Sequence, residues 1–93
     1  MNDIGPATVV KQSGDVIARE INGQLVILTP SGGTVHELDE LGCFIWKLCS
    51  EPVSVDTITS KIVAEYEVDE VEAKTDLSSF LAKLIDVGAV VKQ

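Results

Sequence analysis

Aromatic side chains and positive charges are the two features that this sequence has least of. Its aromatic residues are Phe44, Trp46, Tyr66 and Phe80, too few for a platform on which nucleic-acid bases would stack. Seven Lys and Arg residues stand against 15 Asp and Glu residues, and the net charge is −8. Basic residues supply most non-specific binding to nucleic acid and to anionic membranes. The composition therefore predicts no nucleic-acid partner and no membrane partner, and it favours simple solubility or a partner that is basic or of mixed charge.

Cysteine and histidine are also scarce. Cys43 and Cys49 lie six residues apart on one predicted helix, so about 600° of rotation separates their side chains. They cannot form a disulfide bond with each other unless that helix unwinds. With the single His36 they fall short of the ligand set that a zinc site needs. We interpret both cysteines as small buried residues in a reducing compartment.

Catalytic patterns are missing as well. The sequence has no carboxylate pair at a spacing typical of acid–base catalysis, and the glycine-rich residues 31–33 follow no phosphate-loop pattern. We therefore expect a protein that is not an enzyme and that carries no cofactor and no metal. The first residues show no basic segment followed by a long apolar run, so neither a signal peptide nor a membrane span is predicted. The expected compartment is the cytoplasm.

The chain length allows one domain. Residues 1–14 carry Gly5, Pro6 and Gly14 and no sustained hydrophobic period. We predict a flexible N-terminal arm over residues 1–14, with at most a short extended piece within it. Residues 15–93 are predicted to form the domain.

A β-hairpin is predicted at the start of the domain. Residues 16–28 contain two β-rich runs around Asn22-Gly23, a dipeptide that suits a two-residue turn of type I′. A two-residue loop fixes the register and places Glu20 opposite Leu25. Both faces of this hairpin carry apolar residues, so we expect both faces to be covered.

A third strand is predicted at residues 34–38, after a second turn signal at residues 29–34. If it pairs with the second strand, Leu38 lies beside Leu25. The third strand is then an edge strand, whose unpaired backbone groups a protein must cover or use.

Three helices follow, and each begins after a residue that is typical of an N-cap. These residues are Asp39, Ser54 and Asp69, and an apolar stripe of helical period follows each one. Gly88 occupies the position of a C′ glycine after the third helix. Strands followed by helices indicate an α+β fold. We predict a winged-helix-like arrangement, with a three-stranded antiparallel sheet followed by three helices.

The predicted edge strand leaves several functions open. It can accept an extended peptide as an added strand, or it can be blocked by the N-terminal arm or by a second copy of the chain. A winged-helix DNA-binding regulator is a further alternative. It is disfavoured because the helix that would contact DNA, residues 69–85, carries more acidic than basic residues.

The order and spacing of several short motifs resemble the PqqD-like family, named for pyrroloquinoline quinone biosynthesis protein D. The resemblance spans about residues 16–91. The motifs are the Leu38-Asp39 step into the first helix, Ile45-Trp46-x-Leu48, Thr57-Ile58, Tyr66-x-Val68-Asp69, and Asp76 ahead of Phe80-Leu81.

The resemblance implies a non-catalytic peptide chaperone, which serves as the recognition element for ribosomally made peptides that are later modified. Such a protein holds the leader segment of a precursor peptide and presents it to a maturation enzyme, often a radical S-adenosylmethionine (radical SAM) protein. The leader is expected to lie as an antiparallel strand along the third strand, in a groove closed by the third helix. The implied peptide-binding residues are Thr34, Val35, His36, Glu37 and Leu38 on the strand and Lys74, Ser78, Leu81 and Ile85 on the helix. The alternative is a structural subunit of a biosynthetic complex, for example a homodimer paired through the free edge.

Overall fold

A computed structural model describes residues 4–22, 24–29 and 34–93, with Thr34 and Val35 described by their backbone alone. Along these residues the elements are β1 (Val9–Gln12), β2 (Ile17–Ile21), β3 (Gln24–Thr29), β4 (Thr34–Leu38), α1 (Glu40–Leu48), β5 (Val53–Ser54), α2 (Val55–Tyr66), α3 (Glu70–Asp86) and β6 (Val90–Lys92). Antiparallel strands and three helices confirm the predicted α+β class. A second small sheet is added to the predicted one.

The first sheet has the strand order β2-β3-β4 and is antiparallel. Glu20 lies opposite Leu25, and Leu38 lies beside Leu25, which confirms both predicted registers. Asn22 has a φ of 54°, as a type I′ turn requires at its first central position. Gly23 lies outside the described residues, and so do residues 30–33 of the second turn, which is predicted over residues 29–34.

The second sheet has the order β5-β1-β6, so β1 is its central strand. Val9 lies opposite Ser54 on one side, and Lys11 lies opposite Val91 on the other. The Val10 side chain is fully buried. These residues belong to the predicted N-terminal arm, yet they are hydrogen-bonded on both sides to strands from the far part of the chain. The division into an arm and a domain stays a prediction.

The three helices begin at the predicted caps. The Asp39 carboxylate accepts a hydrogen bond from the Gly42 amide at 2.7 Å, and Ser54 and Asp69 accept equivalent bonds from amides in the first turns of α2 and α3. Gly88 has a φ of 79° directly after the C-cap of α3. A glycine is favoured at this position because it adopts the left-handed conformation without the steric cost of a Cβ atom.

The core lies between the inner face of the first sheet, the three helices and the second sheet. Its buried apolar members are Val10, Leu25, Ile27, Leu38, Ile45, Trp46, Cys49, Val55, Ile58, Ile62, Ala73, Leu77, Leu81, Leu84, Ala89 and Val90.

The outer face of the hairpin is open. Ile17, Ile21 and Leu28 are exposed on it, with Ile21 retaining 54% of its accessible surface. On the inner face only the β3 residues Leu25, Ile27 and Thr29 are buried, and every residue of β2 is exposed. The expectation that both faces of the hairpin are covered is therefore wrong for the described residues. None of the helices in the described part of the chain is long and apolar enough to cross a membrane.

Candidate functional site

The outer edge of β4 is the first feature of the candidate site. β4 pairs with β3 on one side, and no strand in the described residues pairs with its other side. Alternate backbone N–H and C=O groups on that side are therefore placed to pair with an added strand. The described part of the N-terminal segment pairs with β5 and β6, so it does not occupy this edge.

A groove runs beside this edge. We call it the β4 groove, a cavity of about 470 Å³ lined by His36, Glu37, Leu38, Asp39, Phe80, Lys83 and Leu84. Leu38 and Leu84 are buried, and Phe80 is half-buried against the core. Glu37 and Lys83 are exposed at its margins. The groove thus has an apolar floor and margins of both charge signs.

The pleat of β4 decides which strand residues contribute to the floor. His36 lies opposite Ile27, and Leu38 lies opposite Leu25, so both share the face of the sheet that points to the core. The Nε2 atom of His36 is buried and has no hydrogen-bond partner among the described residues. The Thr29 Oγ1 atom is buried without a partner as well, and each such atom costs about 1–3 kcal/mol.

The helix residues of the predicted site lie elsewhere. Lys74 and Ser78 line a separate small cavity of about 80 Å³ together with residues of the N-terminal segment and α2. Leu81 is fully buried, and Ile85 packs against the core. None of these four residues lines the β4 groove, whereas His36, Glu37 and Leu38 do.

The reason is the choice of flank on α3. The buried stripe of this helix, Ala73, Leu77, Leu81 and Leu84, has a flank on each side. β4 lies beside the flank that carries Phe80 and Lys83, and the sequence pattern does not say which flank faces the sheet edge. An aromatic residue next to the stripe is the one signal for Phe80. Asp39 lies directly after the strand. Its role as an N-cap already explains this residue in the sequence, so its contribution to the lining of the β4 groove is not predicted.

Gly42 on α1 is a further position that the sequence analysis misses. A Cβ atom at Gly42 would lie 3.1 Å from the Asp39 Oδ1 atom, 3.2 Å from the Phe80 ring and 3.3 Å from the Leu38 Cβ atom. All three neighbours line the β4 groove. The close approach of α1 to this groove therefore depends on the absence of a side chain at Gly42.

A second cavity lies between the tip of the hairpin and α1. We call it the hairpin cleft. Its volume is about 590 Å³, and it is lined by Glu20, Gln24, Leu25, Leu38, Asp39, Glu40, Cys43, Phe44, Lys47 and Tyr66. Leu38 and Asp39 border the β4 groove as well, so the two cavities meet at the end of β4.

The hairpin cleft combines aromatic and acidic surface. The Phe44 and Tyr66 rings meet edge to face, with 5.5 Å between their centroids and 86° between their planes. Desolvation by burial raises the pKa of the Tyr66 hydroxyl, and the negative charges of Glu40, Glu65 and Asp39 raise it further. The electrostatic potential around this hydroxyl is therefore negative.

Cys43 and Cys49 are both free thiols. Cys49 is buried as predicted, whereas Cys43 is only half-buried and lines the hairpin cleft. Within the described ranges no three His, Cys, Asp or Glu side chains lie close enough together to hold a metal ion.

Two solved structures are similar to this chain over most of its length. The one described as "TbiB1 in Complex with the TbiA(beta) Leader Peptide" has 34% sequence identity and a TM-score of 0.77, and the match covers 86% of this chain and 93% of that chain. The one described as "Lasso peptide synthetase B1 complexed with the leader peptide" has 17% identity and a TM-score of 0.77, with 88% and 96% covered, and shows the shared fold.

A comparison with curated proteins gave no match. A sequence model of the family described as Coenzyme PQQ synthesis protein D (PqqD) matches residues 24–90, from the start of β3 into β6. Because this match covers more than half of the sequence, the chain belongs to the PqqD family.

Proposed function

We propose that this chain binds the leader segment of a ribosomally made precursor peptide as an added strand on β4 and presents it to a maturation enzyme. The enzyme would be a radical SAM protein or another peptide-modifying enzyme. The observation that carries the proposal is the unpaired outer edge of β4 beside a groove with an apolar floor and charged margins. The relatives support it, since both similar structures are described as complexes with leader peptides.

The geometry indicates how a peptide would be held. An added strand pairs through its backbone, which gives affinity without sequence preference, and neighbouring pockets select side chains. An antiparallel orientation continues the antiparallel sheet and is the more stable of the two pairings. Alternate peptide side chains would then face the groove floor formed by Leu38, Phe80 and Leu84. Burial of apolar surface there contributes roughly 25 cal/mol per Å².

The proposed role is one of recognition, and the reaction is assigned to the partner enzyme. The groove combines the apolar side chains of Leu38, Phe80 and Leu84 with polar groups, among which His36 is the one imidazole. No cofactor is proposed for this chain. We propose the cytoplasm as its place of action, because a precursor peptide is made there and both free cysteines would stay reduced.

The first test is an amide NMR titration of the labelled chain with the precursor peptide encoded beside its gene. We expect dissociation constants in the micromolar range or tighter. Shifts should concentrate on β4 and on α3 around Phe80 and Lys83, while amides near Lys74 remain unchanged. Saturating peptide that moves none of the β4 amides would contradict the proposal.

A pair of proline variants tests strand addition itself. Successive N–H groups of a strand point to opposite sides, so one of Val35 and His36 directs its N–H toward β3 and the other toward the free edge. Proline on an edge is tolerated only where the N–H faces outward. Of Val35→Pro and His36→Pro, we expect one to keep the fold and lose at least about tenfold in peptide affinity, which corresponds to about 1.4 kcal/mol. The other should lose stability. A variant of this pair that stays folded and binds like the parent would rule out pairing along β4.

The open outer face of the hairpin favours a second candidate function, as a subunit that holds an assembly together through a homodimer. Ile17, Ile21 and Leu28 are exposed on this one face. Analytical ultracentrifugation with and without peptide separates the two functions. The second function would be supported if the parent is a dimer with and without peptide and the Ile17→Thr/Ile21→Thr variant is a monomer. A monomer that binds peptide supports the first.

A further inference from the structure

The hairpin cleft is the larger of the two cavities that meet at Leu38 and Asp39, and the proposed strand pairing leaves it empty. Its walls include the apolar side chains of Leu25 and Phe44 and the Tyr66 ring. Its lining also includes three carboxylates and one cation, which belong to Glu20, Asp39, Glu40 and Lys47.

These carboxylates are short of positive partners. The one ion pair among the described residues joins Lys74 to Glu70 at 3.5 Å, so Glu20 and Glu40 are in no ion pair there. Asp39 already accepts the hydrogen bond that caps α1. The cleft therefore offers a cation two carboxylates, of Glu20 and Glu40, that have no ion-pair partner among the described residues. These lie in one cavity with the Phe44 and Tyr66 rings, and aromatic rings attract cations as well.

The polarity of the added strand connects the cleft to the bound peptide. In an antiparallel pair the amino-terminal end of the peptide lies beside the carboxyl-terminal end of β4, at Leu38. Peptide residues that precede the paired segment therefore pass Asp39, where the hairpin cleft opens. β2, which carries Glu20, lies two strands away from β4, and the added strand lies one spacing further out. About 14 Å therefore separates the added strand from β2 at the usual strand spacing, and about four or five extended residues span that distance.

We propose that the peptide segment immediately preceding the paired strand turns past Asp39 and places a basic side chain, Lys or Arg, in the hairpin cleft between Glu20, Glu40 and Tyr66. The inference rests on the proposed function and adds a charge preference to it. An arginine suits the site because its planar group can pair with a carboxylate and stack on an aromatic ring at once.

The experiment compares two lengths of the precursor peptide encoded beside the gene. A fluorescein-labelled short peptide covers the segment that shifts the β4 amides, and a long peptide adds the six residues before it. Anisotropy titrations use the parent chain, an E20Q/E40Q variant and an E51Q/D86N control. The control removes the same charge from exposed positions that line neither cavity. A third peptide replaces the basic residues of the extension by Gln.

We expect the parent to bind the long peptide about 3- to 10-fold more tightly than the short one, in line with one or two partly exposed ion pairs. The E20Q/E40Q variant should lose this difference and bind the short peptide like the parent. The control should retain the difference. The Gln-substituted long peptide should bind the parent and the E20Q/E40Q variant equally.

Two results would overturn the inference and leave the proposed function intact. One is equal binding of long and short peptides by the parent. The other is an E20Q/E40Q variant that binds every peptide with the same affinity as the parent. If this variant binds the peptides normally but no longer binds the maturation enzyme, the cleft is a binding site for the enzyme and not for the peptide. If the parent binds neither peptide, the proposed function fails and this inference fails with it.

Discussion

Cys49 ends α1 with its side chain fully buried, and burial raises the pKa of its thiol from 9.0 to about 11. The folded state therefore holds this proton more tightly than the unfolded chain does. The contribution of this proton to the free energy of unfolding is therefore fully present below about pH 9 and is lost as the pH rises toward 11. Two pKa units correspond to about 3 kcal/mol. We expect the free energy of unfolding in urea to fall more between about pH 8 and pH 10.5 in the parent than in a Cys49→Ala variant.

Tyr66 contributes in the same pH range, because the pKa of its hydroxyl is also raised. The comparison is therefore repeated in a Tyr66→Phe background, where the effect of Cys49→Ala on the pH profile should persist. Parallel pH profiles for the parent and Cys49→Ala would show that Cys49 does not couple folding to pH.

The flank of α3 beside β4 gives a second prediction at the residue scale. Phe80 and Lys83 line the β4 groove, whereas Lys74 lines another cavity. We expect Phe80→Ala to weaken peptide binding about tenfold through loss of apolar contact, and Lys83→Ala by about twofold. Lys74→Ala should bind like the parent. Anisotropy titration measures all three, and urea unfolding checks that the Phe80 variant remains folded. If Lys74→Ala weakens peptide binding and Lys83→Ala does not, the peptide lies along the flank of α3 that the sequence predicts, with Lys74 and Ser78, and not along the flank with Phe80.

Local chemistry explains which of these residues the sequence reveals. The caps Asp39, Ser54 and Asp69 are found from sequence because a cap and its amide partners lie within three residues of each other. The groove face of α3 depends on where β4 lies after the chain has folded. The position of Phe80 in the β4 groove is therefore set by tertiary packing, and its aromatic side chain beside the buried stripe is the one local signal for it.

At the element scale, Gly42 controls how closely α1 approaches the β4 groove. Glycine to alanine within an exposed helix usually stabilises by roughly 0.5–1 kcal/mol. At Gly42 the added methyl group would meet the Asp39, Phe80 and Leu38 side chains at 3.1–3.3 Å. We expect Gly42→Ala to give no gain in the free energy of unfolding and to weaken peptide binding severalfold, because Phe80 must move. Urea unfolding and anisotropy measure the two effects.

A control for this prediction lies in Gly14, where no atom lies within 4 Å of an added Cβ. Gly14→Ala should leave peptide binding unchanged. A Gly42→Ala variant that is stabilised and binds normally would mean that the groove tolerates the methyl group.

The two sheets differ in how far the sequence predicts them. The Asn22-Gly23 turn fixes the β2–β3 register, and the alternating pattern extends that register to β4, so the first sheet is predicted residue by residue. The second sheet joins β1 to strands of two and three residues from the middle and end of the chain. Strands this short carry no period of their own, and their partners are set only when the helices pack.

At the scale of the whole molecule, the second sheet ties the two ends of the chain together. The family match begins at residue 24, after β1 and β2, yet both strands belong to the fold. Val10 is fully buried between β5 and β6. Backbone bonds extend the connection beyond the strands, from the Val55 amide to the Thr8 carbonyl at 2.8 Å and from the Gln93 amide to the Val9 carbonyl at 2.8 Å. The unit that folds is therefore larger than the segment that the family match covers.

This connection predicts the outcome of a truncation. A chain that lacks residues 1–12 loses the central strand of the second sheet and leaves β5 and β6 without their partner. We expect its free energy of unfolding to fall by at least about 3 kcal/mol, a large share of the 5–15 kcal/mol typical of a small domain. Urea unfolding followed by circular dichroism compares the two chains. If the truncated chain is as stable as the parent, residues 1–12 belong to a flexible arm, as the sequence predicts for residues 1–14, and the second sheet contributes nothing to stability.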